Sequence, residues 1–169
     1  MFFKKIFFCA FLFCVISCSD LRFVYDDSNK KMQSLYESTL ISISGDDSAT
    51  INIYLQDKLG TSGNWASYRL NIQSKKDITA AVVDKDATAS KFQIKNTIFY
   101  SLNNIKKECN IISEEIETIT SYNTKSEGYS FGSDLSENEL IEKNLKSNID
   151  MFFNNIILSD ISFVCKNED

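Results

Sequence analysis

The 169-residue chain contains no histidine and no proline. Without histidine it lacks the commonest general base near neutral pH and the commonest metal ligand, which argues against hydrolase or zinc chemistry. Without proline, breaks between elements must be read from glycine, asparagine and aspartate. Basic charge is also short, with 18 Lys and Arg against 23 Asp and Glu and a net charge of −5. Such a balance excludes general binding to nucleic acid or anionic membrane and leaves only local basic patches for an anionic ligand. No hydrophobic run is long enough to span a bilayer as an ordinary helix, since the longest, Ile6 to Ile16, is too short. Cysteine is sparse beyond residue 18, where only Cys109 and Cys165 remain. In an oxidising compartment these two either pair or stay free, and their positions leave both outcomes open.

What is present begins with the leader. Lys4 and Lys5 precede the apolar run, and Ser17 and Cys18 follow it, which is the order of a secretory signal that is removed. Val15-Ile16-Ser17-Cys18 resembles the lipobox of bacterial lipoproteins, in which the cysteine becomes the first mature residue. The resemblance implies a diacylglycerol thioether on Cys18 together with further acyl chains such as palmitate. At about 0.8 kcal/mol per buried methylene, these chains hold a protein to a membrane. Ser19 stands where an aspartate would signal inner-membrane retention in enteric bacteria, which favours the outer membrane. Residues 1–17 are thus expected to be lost, residues 18–38 to form an extended tether, and residues 39–169 to form a single domain. Loss of Lys4 and Lys5 leaves 16 basic against 23 acidic residues, a balance of −7.

Along the mature chain, Thr39 to Ser44 reads as a strand ended by Gly45. Asp46, Asp47 and Ser48 supply caps for a helix with Ile51, Leu55 and Leu59 at intervals of four, stopped by Gly60. Tyr68 to Gln73 alternates as a half-buried strand with Tyr68, Leu70 and Ile72 inward. Lys75 to Ala87 reads as a long connection. Ser90 to Leu102 alternates again, with Phe92, Ile94, Asn96, Ile98 and Tyr100 on one face. After a turn at Asn103-Asn104, Cys109 to Tyr122 places Ile112, Glu114, Ile116, Thr118 and Thr120 on one face. Asn123 to Asp134 reads as a loop. Ser136 and Glu139 have the spacing of a capping box, and Ile141, Leu145, Ile149, Phe152 and Ile156 then form one helix face over about five turns. Ile161 to Cys165 is apolar enough for a last strand or a docked tail. This pattern predicts an α+β fold in two layers, a four-stranded, mostly antiparallel sheet with two helices packed on one face.

The lipobox, the strand-helix-strand start, Asp86-Ala87-Thr88 leading into a long strand, Ser121-Tyr122-Asn123 closing the next, Tyr129, and a long final helix together resemble the LPS-assembly lipoprotein family (LptE), in its alphaproteobacterial branch. That resemblance implies a non-enzymatic outer-membrane lipoprotein. Its expected partner is an LptD-type β-barrel translocon, which it plugs and supports during lipopolysaccharide assembly. Contact with lipopolysaccharide itself would require basic side chains, and Lys75, Lys76, Lys85 and Lys91, beside the Asp-Ala-Thr run, are the candidates. Lys106 and Lys107 fall at the opposite end of the sheet.

An alternative reading is a free-standing surface or periplasmic lipoprotein that holds a ligand or host protein through Trp65, Tyr68 and Tyr129. Catalysis is not expected, since Glu115 and Glu117 share a strand face with no nucleophile or ligand beside them. Neither a cofactor nor a metal is expected, and nucleic acid is not an expected partner.

Overall fold

The computed structural model describes residues 24–63, 65–83, 89–123 and 131–158. In chain order these form α1 (Val24–Leu35), β1 (Thr39–Gly45), α2 (Ser48–Leu59), β2 (Tyr68–Val83), β3 (Ala89–Asn104), β4 (Cys109–Asn123) and α3 (Phe131–Leu158). The sheet runs β1-β2-β3-β4; β1 lies parallel to β2, and the remaining pairs are antiparallel. This is the α+β fold with a four-stranded, mostly antiparallel sheet that the pattern predicts, carrying three helices instead of two.

The additional helix is α1, which occupies part of the stretch expected to be an extended tether. Its sequence is polar with few apolar anchors, so its stability comes from tertiary contacts, the usual source for a short helix. Leu35 is fully buried and Met32 packs on the same core. The chain leaving α1 is fastened twice over, with Thr39 Oγ1 donating to the Leu35 carbonyl at 2.9 Å and the Glu37 N–H donating to the Leu59 carbonyl at 2.6 Å. Lys31 Nζ also reaches the Ile156 and Ile157 carbonyls at the end of α3, at 3.4 and 3.2 Å. A cation there meets the negative end of the helix dipole.

In β1 the alternation holds, with Thr39, Ile41 and Ile43 toward the helices and Leu40, Ser42 and Ser44 away. The strand stops at Gly45, whose φ of 96° suits glycine and whose missing Cβ would lie 2.0 Å from the Ser74 carbonyl oxygen. α2 buries Ile51, Leu55 and Leu59 and ends at Gly60, as the spacing predicts. Its start differs from expectation. Asp47 occupies the N-cap position in a left-handed conformation but makes no side-chain cap; its carboxylate pairs with Lys76 Nζ at 2.8 Å instead.

β2 corrects the sequence reading most. The expected connection from Lys75 is strand as far as Val83, paired with β3 through Val83 and Ala89, with a bulge between Ala80 and Val82. β3, already ordered by its own inward Ile94, Ile98 and Tyr100, offers a ladder that outweighs the poor strand preference of Ala80 and Ala81. The register shift after Leu102 inserts an extra residue in β4, so that Ile111 is buried and Ile112 also packs on the core.

α3 begins at Phe131, ahead of the expected N-cap Ser136 and within the expected loop. Ser136 therefore lies inside the helix, where the preceding turn already supplies acceptors for the N–H groups a capping box would serve. Leu145, Ile149, Phe152 and Ile156 are buried and Ile141 partly so, with Phe153 added. These side chains and those of α1, α2 and the inner sheet face make one core cluster. The expected element at Ile161 to Cys165 lies outside the described residues. Cys109 is disulfide-bonded, and its partner also lies outside them.

Candidate functional site

The three described helices lie on one face of the sheet, and no described element covers the other. Period-2 alternation fills that outer face with Ser42 and Ser44 from β1, Asn71, Gln73 and Lys75 from β2, Gln93, Lys95 and Ser101 from β3, and Ser113, Glu115 and Glu117 from β4. Leu40, Phe99 and Ile119 are its isolated apolar members. Lys95 Nζ pairs with Glu117 at 2.6 Å, and Glu117 holds the Lys95 ammonium in its charged form above the usual lysine range. Lys75 pairs with Asp77 at 2.9 Å. Near the β3–β4 turn, Asn110 Nδ2 donates to Ser101 Oγ and Ser113 Oγ, both at 2.9 Å. The face is polar, hydrogen-bonding and close to charge-neutral, which suits a wet protein contact rather than capture of a strongly anionic group.

The helix side holds a second polar group set, this one buried. Asn148 on α3 donates to the Ile116 carbonyl at 2.9 Å and to Thr118 Oγ1 at 3.1 Å, and accepts from the Tyr100 hydroxyl at 2.8 Å. Tyr100 stacks on Phe152 with ring centroids 4.1 Å apart, and burial pushes its hydroxyl pKa far above the usual range. One turn earlier, Asn144 donates to the Ile94 and Thr118 carbonyls, both at 3.4 Å. This seam fixes where α3 sits along β3 and β4.

A cavity of about 320 Å³ lies between the start of α2, the N-terminal half of α3 and Lys76 of β2. Asp47, Thr50, Ile53, Tyr54, Ile141 and Glu142 line it. Tyr54 donates to Glu142 Oε1 at 2.6 Å, and this bond, helped by desolvation and the carboxylate charge, raises the Tyr54 pKa to about 12. Asp47 Oδ2 is buried there without a hydrogen-bond partner.

The sequence-derived candidates do not form one cluster. Cys18, Lys85, Asp86, Ala87, Thr88 and Tyr129 lie outside the described residues. Lys75 and Lys91 both project to the outer face, but Lys75 is opposite Thr97, six residues from Lys91, or roughly 20 Å along the strand. Lys76 points to the helix side and is held by Asp47. Their expected proximity rested on a connection that the structure replaces with strand. Ser121, Tyr122 and Asn123 do end β4; Tyr122 stacks on Phe92 at 5.6 Å and donates to Glu137 Oε2 at 2.8 Å. Trp65 is 91% exposed in the loop before β2, whereas Tyr68 is partly buried.

Asn144, Asn148 and the cavity residues were missed from sequence. The asparagines stand three residues after Ile141 and Leu145, on the apolar side of the helix, and that placement was the available signal.

No model of a known protein family matches the chain, and no curated protein matches it in sequence. Solved structures do match. The fold is that of several bacterial lipoproteins. A protein described as a lipoprotein from Caulobacter crescentus CB15 superposes with a TM-score of 0.57 at 14% identity, over 76% of this chain and 93% of that one. The minor lipoprotein of Acinetobacter baumannii gives 0.53 at 11% identity, over 72% and 91%. Lipoprotein B of Nitrosomonas europaea gives 0.53 at 10% identity, over 72% and 86%.

Proposed function

We propose that the protein is an outer-membrane lipoprotein, anchored through lipid on Cys18, that supports and plugs an LptD-type β-barrel translocon in lipopolysaccharide assembly. The observation that carries this reading is the two-sided sheet. One face is sealed by three helices, and the other is an uncovered field of Ser, Asn, Gln and paired charges. A domain seated in a water-filled lumen needs a surface that trades hydrogen bonds with polar walls, and the open face has that character. The Val15-Ile16-Ser17-Cys18 run and a fold shared with lipoproteins support the anchor. The role is that of a scaffold rather than a catalyst. Of the candidate lysines for lipopolysaccharide contact, Lys75 and Lys76 are each paired with an aspartate.

The test is a detergent pull-down of the full, lipid-bearing protein from its native membrane, with Cys18→Ala in parallel. Co-purification of a β-barrel, and release of the variant to the soluble fraction when that barrel is depleted, are the expected results. A pull-down that brings no barrel overturns the role. Digestion of the protein by protease added to intact cells would instead favour the free-standing surface lipoprotein.

A further inference from the structure

Among the described residues, the outer half of β2 has no strand on its far side. β1 pairs with residues 68–74 and stops at Gly45, opposite Ser74, so from Lys75 to Val83 β2 is an edge with no described strand beside it. The direction of its backbone groups follows from the bonds at that point. The Ser74 carbonyl accepts from the Asp46 N–H at 3.1 Å, and the Lys76 N–H donates to Asp46 Oδ2 at 2.8 Å, so the even-numbered residues point away from β3. By the alternation of an antiparallel ladder, the N–H and C=O of Ile78 and Ala80 point the same way, away from β3 and from every described strand. Side chains in the stretch Ile78 to Val83 are exposed and uncharged. An edge of that kind is a template for strand addition.

Lys76 belongs both to this edge strand and to the cavity between α2 and α3. The cavity brings two carboxylates, Asp47 and Glu142, against the single ammonium of Lys76, and one oxygen of Asp47 is buried and unsatisfied. The unsatisfied Asp47 oxygen can therefore accept from one further cationic N–H, while Ile53, Tyr54 and Ile141 supply apolar wall for an alkyl stem. In strand-addition recognition, main-chain bonds supply affinity and a pocket for an alternate side chain supplies specificity.

We propose that the β2 edge at Ile78 and Ala80 is a docking site for an extended segment of a partner protein, paired as an added strand and placing a lysine or arginine in the cavity beside Asp47 and Glu142. This rests on the edge and the cavity alone and stands apart from the role proposed above.

The test uses the full chain in detergent and two short blocked peptides of alternating threonine and valine, one with a central lysine and one with glutamate at that position. Binding is read by fluorescence anisotropy, and amide exchange at Ile78 and Ala80 by NMR. The lysine peptide should bind at least about tenfold more tightly than the glutamate peptide, and should slow exchange at both amides. Ala80→Pro removes only an outward N–H, leaves the β3 ladder whole and should abolish binding. Glu142→Gln with Asp47→Asn should erase the lysine preference. Equal binding of the two peptides, no gain in protection at Ile78 and Ala80, or undiminished binding by Ala80→Pro overturns the proposal. So does concentration-dependent pairing of two copies of the chain through the same amides without peptide.

Discussion

Replacement of Asn148 by leucine tests whether the buried seam under α3 contributes to stability through hydrogen bonding or only through packing. The side chain is fully buried, and leucine has the same number of side-chain heavy atoms branched at the same carbon, so the change replaces polar atoms without opening space. It strips the Tyr100 hydroxyl of its acceptor and the Ile116 carbonyl of its side-chain donor. Each of these two buried groups left without a partner costs about 1–3 kcal/mol, and the added apolar surface returns about 1 kcal/mol, so the net loss should be about 1–5 kcal/mol. Tyr100→Phe alone should cost about 1–2 kcal/mol, because it orphans the Asn148 amide oxygen. In the double variant the Tyr100–Asn148 mismatch disappears, so the two losses should fall short of their sum by about 1 kcal/mol or more. Urea unfolding followed by circular dichroism reads all three. Additive losses, or an Asn148→Leu cost below about 1 kcal/mol, would refute the reasoning.

Three further outcomes follow from the geometry. Gly45→Ala drives a methyl into the Ser74 carbonyl at a positive φ and should lower stability by roughly 2 kcal/mol or more in the same urea experiment, with β1 lost first by amide exchange. The folded Tyr54 pKa, about 12, lies above the ordinary value of 10.0, so its contribution is complete below pH 10 and fades as pH rises toward 12. Ultraviolet titration of tyrosinate should show Tyr54 as a late group beside the still later, buried Tyr100, and Glu142→Gln should return Tyr54 alone to the ordinary range. Reduction of the Cys109 disulfide should lower stability by about 2–4 kcal/mol, and peptide mapping without reductant should recover Cys109 in a cross-linked pair.

The parts of the fold that could be read from sequence are those where one face is buried and the other wet. The intervals of four through Ile51, Leu55 and Leu59, and through Ile141, Leu145 and Ile149, mark helices because residues at that spacing meet the core while most of those between them face water. Phe92 to Tyr100 reads as a strand for the same reason. The extension of β2 past Lys75 is exposed on both sides over its last six residues, so burial imposes no alternation there, and strand pairing alone orders it. α1 escaped notice because its described anchors, Met32 and Leu35, span less than one turn. The candidate site suffered from the same error, since grouping the lysines required a connection where there is a strand. The polar outer face follows from the same strand alternation that marks the inward residues, but the cavity depends on α2 meeting α3, and no local pattern encodes that meeting.

The start of α1 at Val24 sets the length of the leash. If lipid holds residue 18, only five residues separate it from Val24, in the first turn of a helix docked on the core, a contour of at most about 20 Å. A free tether running to residue 38 would reach roughly three times as far. Under the proposed anchor the domain then stays close to the leaflet. It must work within about one helix length of the leaflet, turning about a near-fixed pivot, and a partner has to come to it at the membrane surface.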